Sequence, residues 1–199
     1  MSIHKHIVIV LGYFKAGKSE IGKILQKHRQ VPVLHPIADV KDFLKEHYDR
    51  LYVDLDTPEG KSERVHTLVD SPITFNDVLV GMFKFFITEG LDPHFLIPYL
   101  YREGNEFLKS DRCFSSTAIR NVNELTLMER IAKEQSAKLI IFEAISDRSV
   151  PEVSDIQVPE LVARGRQLCD QFKVIENNGT KQDLTIAVLE VYDKAIARM

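Results

Sequence analysis

Apolar residues occur along the chain in short β-type runs that alternate with segments of helical periodicity. Residues 6–11, HIVIVL, form a continuous apolar run rich in β-branched side chains, which is typical of a strand buried on both faces of a parallel sheet. The next segment, GKSEIGKILQKH, places Ile21, Ile24 and Leu25 on one face and predicts an amphipathic helix. A buried strand therefore leads directly into a helix.

The same alternation continues to the end of the chain. Strands are predicted in VPVLHP, RCFSSTAI, KLIIFEAI and FKVIENNGT, and helices in ADVKDFLKEHY, 74–90, 93–109, NVNELTLMERIAKEQ and QDLTIAVLEVYDKAIARM. The polar stretch 54–72 predicts a mobile lid or linker. Strands that alternate with helices indicate an α/β fold, with a mostly parallel sheet flanked by helices and a helical acceptor or lid region. We expect a single domain over 1–199.

Composition and charge narrow the class of protein. The 199 residues are 44% hydrophobic and 28% charged, as in soluble globular proteins. A net charge of -3 lacks the excess of Lys and Arg that nucleic-acid or membrane partners usually require. Cys113 and Cys169 are too few and too far apart for a disulfide framework or a zinc site, so we expect two inert thiols. The apolar run near the amino end is too short for a signal peptide or a membrane span, which predicts a cytoplasmic protein without a membrane partner. The pattern leaves the oligomeric state open.

The turn between the first strand and the first helix carries the clearest motif. GYFKAGKS fits G-x-x-x-x-G-K-[ST] at every fixed position, with Gly12, Gly17, Lys18 and Ser19. Glycines let the backbone curl so that its N–H groups face phosphate oxygens, and the helix adds its positive N-terminal end. We expect Lys18 to bridge the β- and γ-phosphates of ATP and Ser19 to ligate Mg²⁺. The motif predicts a P-loop fold.

The variable positions of this loop are compatible with more than one role. Lys15 either adds positive charge near the γ-phosphate or is a solvated loop lysine, and Tyr13 is expected to pack rather than bind. The predicted cofactor-binding loop comprises Gly12, Tyr13, Phe14, Lys15, Ala16, Gly17, Lys18 and Ser19.

The order of the remaining segments resembles one family. After the phosphate loop come ADVKDFL (38–44), AIRNVNE (118–124), LIIFEAI and VIENNGTKQDL (174–184). This order is similar to that of the deoxynucleoside monophosphate kinases of bacteriophages, a branch of the P-loop kinases. The resemblance implies an ATP- and Mg²⁺-dependent kinase, with acceptor-side contacts from Lys41, Arg120 and Glu124. It implies nucleobase contacts for the turn Asn177, Asn178, Gly179 and Thr180.

Each matched position also has a simpler interpretation. Lys41 and Arg120 follow predicted strands, where open α/β sheets bind ligands, yet both are also compatible with ordinary surface charge. Glu124 lies in the first turn of a predicted helix, where a carboxylate is favoured by the helix dipole alone. An Asn-Asn-Gly sequence forms a good turn without any ligand.

Departures from the family fall on the acceptor side. Asp39 replaces a family proline, Ala118 replaces an aspartate, the chain has no Trp, and GMFKFF (81–86) lacks the family's polar signature. A hydroxyl acceptor, unlike a phosphate, must lose a proton as it attacks. Asp39 is therefore either the general base for a hydroxyl acceptor or the N-cap of the following helix.

Relatives of these phage enzymes phosphorylate the hydroxymethyl group of 5-hydroxymethyluracil in phage DNA, a step in thymine hypermodification. Because the donor motif is kept and the acceptor motifs differ, we expect this DNA acceptor and a place in the host cytoplasm. A free deoxynucleotide is the alternative acceptor, and the acidic net charge favours it. A further alternative is a P-loop NTPase without an acceptor.

An arginine that reaches the transferred phosphoryl group is expected in a kinase. Candidates are Arg148, Arg164 and Arg166, and Arg148 is preferred. Glu143 is the only carboxylate on a strand suited to a metal-linked role. The predicted catalytic residues are Lys18, Asp39, Arg120 and Arg148.

Overall fold

The computed structural model describes 5–35, 74, 77, 81, 97–151, 157–169 and 171–198. The chain divides into two compact units, one made of 1–35 with 97–199 and the other of 36–96. The predicted helix ADVKDFLKEHY and the predicted lid at 54–72 lie outside the described residues.

The first unit contains a parallel sheet. Its strands are β1 (His6–Leu11), β2 (Cys113–Ser116), β3 (Lys138–Ile145) and β4 (Phe172–Glu176). Their order across the sheet is β2-β1-β3-β4, and every pair of neighbours is parallel. Val33 forms a parallel bridge with Ser115, which places the predicted short strand VPVLHP beside β2. The predicted α/β fold with a parallel sheet is confirmed.

Five helices are described in this unit. They are α1 (Lys18–Arg29), α2 (Ile97–Ser110), α3 (Val122–Glu134), α4 (Val158–Leu168) and α5 (Lys181–Ile196). Four of them match predicted helices within a few residues.

Helix α4 was not expected from the sequence. Pro159 near its start and Gly165 in its interior weaken the helical signal of VPELVARGRQL. Tertiary packing explains the glycine, since a Cβ at Gly165 would lie 3.3 Å from Phe172 and 3.4 Å from Ile141. The helix is therefore stabilised by close approach to the sheet, which the sequence pattern does not reveal.

Helices cover both faces of the sheet. On one face α1 and α5 pack over a buried cluster that includes Val8, Val10 and Phe142. On the other face α2 approaches closely, since a Cβ at Gly104 would lie 3.3 Å from the Phe114 ring. Strands buried in this way must be apolar on both faces, which is the physical reason for the continuous run HIVIVL.

The amino end of the sheet is closed by buried side chains. A nitrogen of the His6 ring lies 2.8 Å from the Tyr192 hydroxyl. Burial raises the pKa of the nearby Cys113 thiol to about 11, so this thiol stays protonated at neutral pH. Cys169 is also a buried free thiol.

The second unit is described at only three positions. Thr74 Oγ1 accepts from the main-chain N–H of Asp77, and the Asp77 carboxylate accepts from Thr74 N at 2.8 Å. This reciprocal pairing is a capping box, and Asp77 and Gly81 are helical. The two helical positions, Asp77 and Gly81, lie within the helix predicted at 74–90.

Within the part of the chain that the structure describes, no helix is both long enough and apolar enough to cross a membrane.

Candidate phosphate-binding site

The loop between β1 and α1 has the backbone conformation that its glycines permit. Gly12 has a φ of 142° and Gly17 a φ of 99°. A Cβ on Gly12 would lie 2.4 Å from the Ala144 carbonyl oxygen, so the loop passes too close to β3 for any side chain there. Lys15 also adopts a positive φ of 62°. The loop is thus tightly curled at the carboxyl end of the sheet.

Helix α1 begins at this loop without a capping side chain. Gly17 is its N-cap, and the first main-chain bond of the helix runs from Ile21 N to Gly17 O at 3.0 Å. The N–H groups of the first helical turn have no partner in the helix itself and carry the positive end of the helix dipole. This arrangement suits an anion.

Lys18 lies across the same loop. Its ammonium donates to the carbonyl oxygens of Gly12, at 2.5 Å, and Tyr13, at 2.8 Å. The side chain therefore folds back over the loop and holds a positive charge beside its carbonyl rim. Loop N–H groups, the helix N-terminus and a lysine together fit a polyphosphate, which is the ligand predicted from GYFKAGKS.

The segment that follows β3 lies against the phosphate loop. Val150 donates its N–H to the Phe14 carbonyl at 3.1 Å, and the two residues form an antiparallel bridge. Phe14 keeps 39% of its surface exposed, with the Lys15 ammonium 5.5 Å from its ring centroid. An aromatic and a cationic side chain thus stand at the exposed rim of the loop.

The turn after β4 joins both of these segments. Asn177 donates its side-chain amide to the Ala16 carbonyl at 3.1 Å. Its own carbonyl accepts from Ser146 Oγ at 3.0 Å and from Arg148 at 3.0 Å. Asn178 accepts from the N–H of Asp147 at 2.8 Å. The structure therefore brings together two predicted groups, the phosphate loop and the Asn-Asn-Gly-Thr turn.

Thr180 and Gly179 complete this turn by starting α5. Thr180 is the N-cap, and its side chain and that of Asp183 form a capping box. The hydrogen bonds from Thr180 lower the pKa of the Asp183 carboxyl. A Cβ on Gly179 would lie 2.8 Å from this carboxylate. The described hydrogen bonds of Thr180 stabilise the start of α5. The nucleobase contacts implied for the turn stay a prediction.

The three candidate arginines have different surroundings. Arg148 donates to the Asn177 carbonyl beside the phosphate loop. Arg166 pairs with Glu143 at 2.9 Å and stacks over the Phe172 ring, with 5.2 Å to its centroid. Arg164 lies 3.4 Å from Glu129, on the α3 side. Of the three, Arg148 is bonded to the segments that enclose the loop.

The loop after β2 places Arg120 and Glu124 at the carboxyl end of the sheet. Glu124 is 2% exposed, and its carboxylate accepts from Arg120 N at 2.7 Å and from the Asn121 side chain at 2.8 Å. Burial raises the pKa of Glu124 to about 7. Its carboxylate is engaged by its own loop here, and its acceptor-binding role stays a prediction.

Asn121 was not singled out from the sequence. It is the N-cap of α3, and its side chain accepts from Glu124 N at 2.9 Å. The pattern Asn-x-x-Glu before an apolar run is a capping signal that could have identified it.

A magnesium ion would be held mainly by ligands outside the protein. Ser19 lies in the first turn of α1, directly after Lys18. Among the described residues, no group of three or more His, Cys, Asp or Glu side chains is arranged to hold a metal ion. A single hydroxyl nevertheless fits Mg²⁺, which is commonly bound through few protein ligands, waters and substrate phosphates. The predicted residues Asp39 and Lys41 lie outside the described residues.

The sequence matches no protein-family model and no curated protein sequence. Solved structures with a similar chain path include a gluconokinase from Sinorhizobium meliloti 1021, at 11% identity and a TM-score of 0.46, with 98% of this chain and 95% of that chain covered. A shikimate kinase from Aquifex aeolicus VF5 has 10% identity and a TM-score of 0.47, with coverage of 94% and 96%. A dephospho-CoA kinase from Campylobacter jejuni has 11% identity and a TM-score of 0.48, with coverage of 97% and 98%. Because these identities and TM-scores are low, the fold is identified from the chain itself. Its strand order, its glycine-containing loop and its uncapped helix are those of an α/β P-loop fold.

Proposed function

We propose that the protein is an ATP-dependent kinase. The observation that carries this proposal is the loop at residues 12–19, in which two glycines with positive φ, an uncapped helix N-terminus and Lys18 converge. These groups match the polyphosphate of ATP in charge and in hydrogen-bonding character. Ser19 would be the protein ligand of Mg²⁺, which when bound neutralises charge on the phosphates.

The proposed reaction transfers the terminal phosphoryl group of ATP. The bond between the γ-phosphorus and the bridging oxygen breaks, and a bond forms between that phosphorus and an oxygen of the acceptor. The products are ADP and the phosphorylated acceptor. Lys18 and the loop N–H groups bind the negative charge of the phosphates, and Arg148 is the proposed cation for the transferred group.

For the acceptor we propose the hydroxymethyl group of 5-hydroxymethyluracil in phage DNA. The support is sequence alone: Asp39 replaces a proline of the resembled family, and a hydroxyl needs a base while a phosphate does not. In this reaction the hydroxyl proton passes to the Asp39 carboxylate. Lys41, Arg120 and Glu124 are the proposed acceptor contacts, and a cytoplasmic location remains a prediction.

The alternative acceptor is a free deoxynucleoside monophosphate, which would yield a diphosphate. The net charge of -3 favours this acceptor, because a polyanion such as DNA usually binds a basic surface. Such an acceptor already presents an ionised oxygen, so Asp39 would then serve only as a helix cap.

One labelling experiment separates these functions. The protein is incubated with Mg²⁺, γ-labelled ATP and either deoxynucleoside monophosphates, plain DNA or DNA that contains 5-hydroxymethyluracil. We expect label in the last DNA and none in plain DNA. Label in a deoxynucleoside diphosphate would establish the alternative acceptor. Release of inorganic phosphate at the same rate with and without every acceptor would contradict a kinase.

The role of Asp39 is tested by Asp39→Asn, with Asp42→Asn as the matched control three residues further along. If Asp39 is the base, Asp39→Asn lowers kcat by about 10²- to 10⁴-fold with little change in the KM for ATP. If it is a cap, kcat is unchanged, since Asn caps a helix about as well as Asp. An unchanged kcat in folded Asp39→Asn would remove the main support for the hydroxyl acceptor.

A further inference from the structure

The peptide that joins Ala16 to Gly17 lies at the centre of the phosphate loop. Ala16 is 1% exposed, and its N–H donates to the Tyr13 carbonyl at 3.2 Å within the loop. The first main-chain bond of α1 ends on the Gly17 carbonyl, so the helix ladder begins one residue after Ala16. The Ala16 carbonyl is instead bound by the side-chain amide of Asn177, at 3.1 Å.

This single hydrogen bond fixes the direction of a second group. In a trans peptide the C=O of one residue and the N–H of the next point in opposite directions. The Ala16 carbonyl points to Asn177, so the Gly17 N–H points away from it. If the peptide rotated, a carbonyl oxygen would replace an N–H on the opposite side, and a carbonyl repels a phosphate where an N–H attracts it.

Asn177 is itself held firmly enough to act as an anchor. Its N–H donates to the Ile145 carbonyl at 2.8 Å, which continues the pairing of β4 with β3. Its carbonyl accepts from both Ser146 and Arg148. The main chain of Asn177 is thus fixed to the end of the sheet, and its amide reaches the loop from a rigid base.

The space around Gly17 is shaped by the same side chain. A Cβ on Gly17 would lie 2.3 Å from the Asn177 amide nitrogen and 3.2 Å from its Cγ. The glycine at this position therefore allows both the positive φ of 99° and the close approach of Asn177. Residue 17 and residue 177 fit each other as a pair.

We propose that Asn177 is a positioning residue of the phosphate site. Its amide holds the Ala16–Gly17 peptide with the Gly17 N–H directed to the bound phosphates. This role rests on the proposed function in one respect only, namely that the ligand is a polyphosphate. It differs from the nucleobase contact that the family resemblance implies for the same residue, because it acts on the phosphates alone.

The test compares Asn177→Asp with Gln182→Glu. Both changes add one negative charge, and Gln182 is exposed in the first turn of α5, five residues further along. Of the two side chains, Asn177 is the one that donates to the Ala16 carbonyl. Binding of pyrophosphate, ADP and adenosine is measured by calorimetry in EDTA, and folding is checked by thermal unfolding without ligand.

We expect Asn177→Asp to weaken pyrophosphate and ADP binding by about 10- to 100-fold, because a lost donor leaves two oxygens facing each other. Gln182→Glu should change both by less than about threefold, which is the scale of a screened surface charge. Adenosine binding should be equal in all variants. The phosphate-selective loss is the signature that general destabilisation of the fold would not produce.

A second variant, Asn177→Ala, removes the donor without adding charge and truncates only a half-buried side chain. It should lose pyrophosphate affinity by about tenfold, because the Ala16–Gly17 peptide is no longer held with the Gly17 N–H directed to the phosphate. Unchanged pyrophosphate affinity in this variant would overturn the role, and so would an equal loss of adenosine affinity. A wild-type protein that binds neither pyrophosphate nor ADP would refute the phosphate site itself. Normal ADP binding without transfer to any acceptor would contradict only the kinase proposal.

Discussion

Helices α1 and α3 both begin at the carboxyl end of the sheet, yet their N-termini are built differently. Helix α3 is capped by its own chain, since Asn121 binds the Glu124 N–H and the buried Glu124 carboxylate binds the Arg120 N–H. Helix α1 starts at Gly17, which has no side chain to offer. In α1 no side chain caps the first turn, and its acidic residue, Glu20, pairs with Lys181. The N-terminus of α1 is therefore open to an anion from outside the protein.

Helices α4 and α5 support this contrast. Helix α5 has a capping box from Thr180 and Asp183. Helix α4 lacks a capping side chain at Gln157, but Pro159 in its first turn has no N–H to satisfy. Helix α1 alone among these helices combines a glycine N-cap with a lysine folded over the preceding loop. A bound anion at the N-terminus of α1 would supply hydrogen-bond partners that α3 and α5 obtain from their own side chains.

The largest effect on activity is expected at Lys18, beside the N-terminus of α1. In Lys18→Ala the charge over the loop is lost while the buried face of α1 is untouched. We expect turnover to fall by about 10³-fold or more, as when a group that stabilises a transition-state charge is removed. Turnover is measured by steady-state kinetics. The matched control is Lys23→Ala, which removes an exposed lysine of the same helix. Near-normal turnover in a folded Lys18→Ala protein would contradict the kinase proposal.

The buried carboxyl group of α3 can be tested through pH. The pKa of Glu124 rises from 4.5 to about 7 in the fold because of burial, so the folded state favours the protonated form. Its contribution to stability is fully present below about pH 4.5 and is lost as the pH rises through about 7. The free energy of unfolding should therefore fall by about 2–3 kcal/mol over this range.

Glu124→Gln should remove most of this pH dependence, because the amide cannot ionise. Urea unfolding at several pH values measures the effect, with Glu160→Gln, an exposed carboxylate on α4, as the control. A Glu124→Gln protein whose stability varies with pH as the wild type does would show that the carboxylate is not the source.

A substitution at Ser19 tests metal binding at the N-terminus of α1 separately from phosphate binding. Ser19→Ala should lower Mg²⁺-dependent turnover by about tenfold, because one ligand of the metal is lost. Binding of ADP in EDTA should change little. Ser19→Thr, which keeps the hydroxyl that the motif allows, should restore turnover. Equal losses with and without Mg²⁺ would argue against a metal ligand.

The smallest effect is expected at the cap of α3. Asn121→Ala should lower the free energy of unfolding by about 1 kcal/mol, and Asn121→Ser should recover most of it. ADP affinity should be the same in both variants, because this helix needs no ligand. Loss of ADP binding in the folded Asn121→Ala protein would show that the two helix N-termini are not independent.

The fold class and the phosphate loop could be predicted from the sequence. The apolar run HIVIVL, the fixed positions of GYFKAGKS and the helical spacing after them are local features, and local features can be seen in one segment at a time. The capping pattern Asn-x-x-Glu at Asn121 and Glu124 is equally local. It was readable from the sequence, although Glu124 was interpreted there as a substrate contact or a dipole partner.

The way in which distant segments complete the site could not be predicted from the sequence. The amide of Asn177 reaches Ala16 across 161 positions of sequence, and Gly17 leaves the space for it. Burial, not spacing, determines that the Glu124 carboxylate turns to its own loop, and packing against the sheet determines that Val158–Leu168 is a helix. Such contacts depend on which surfaces the fold brings within hydrogen-bonding distance, and no single segment contains that information.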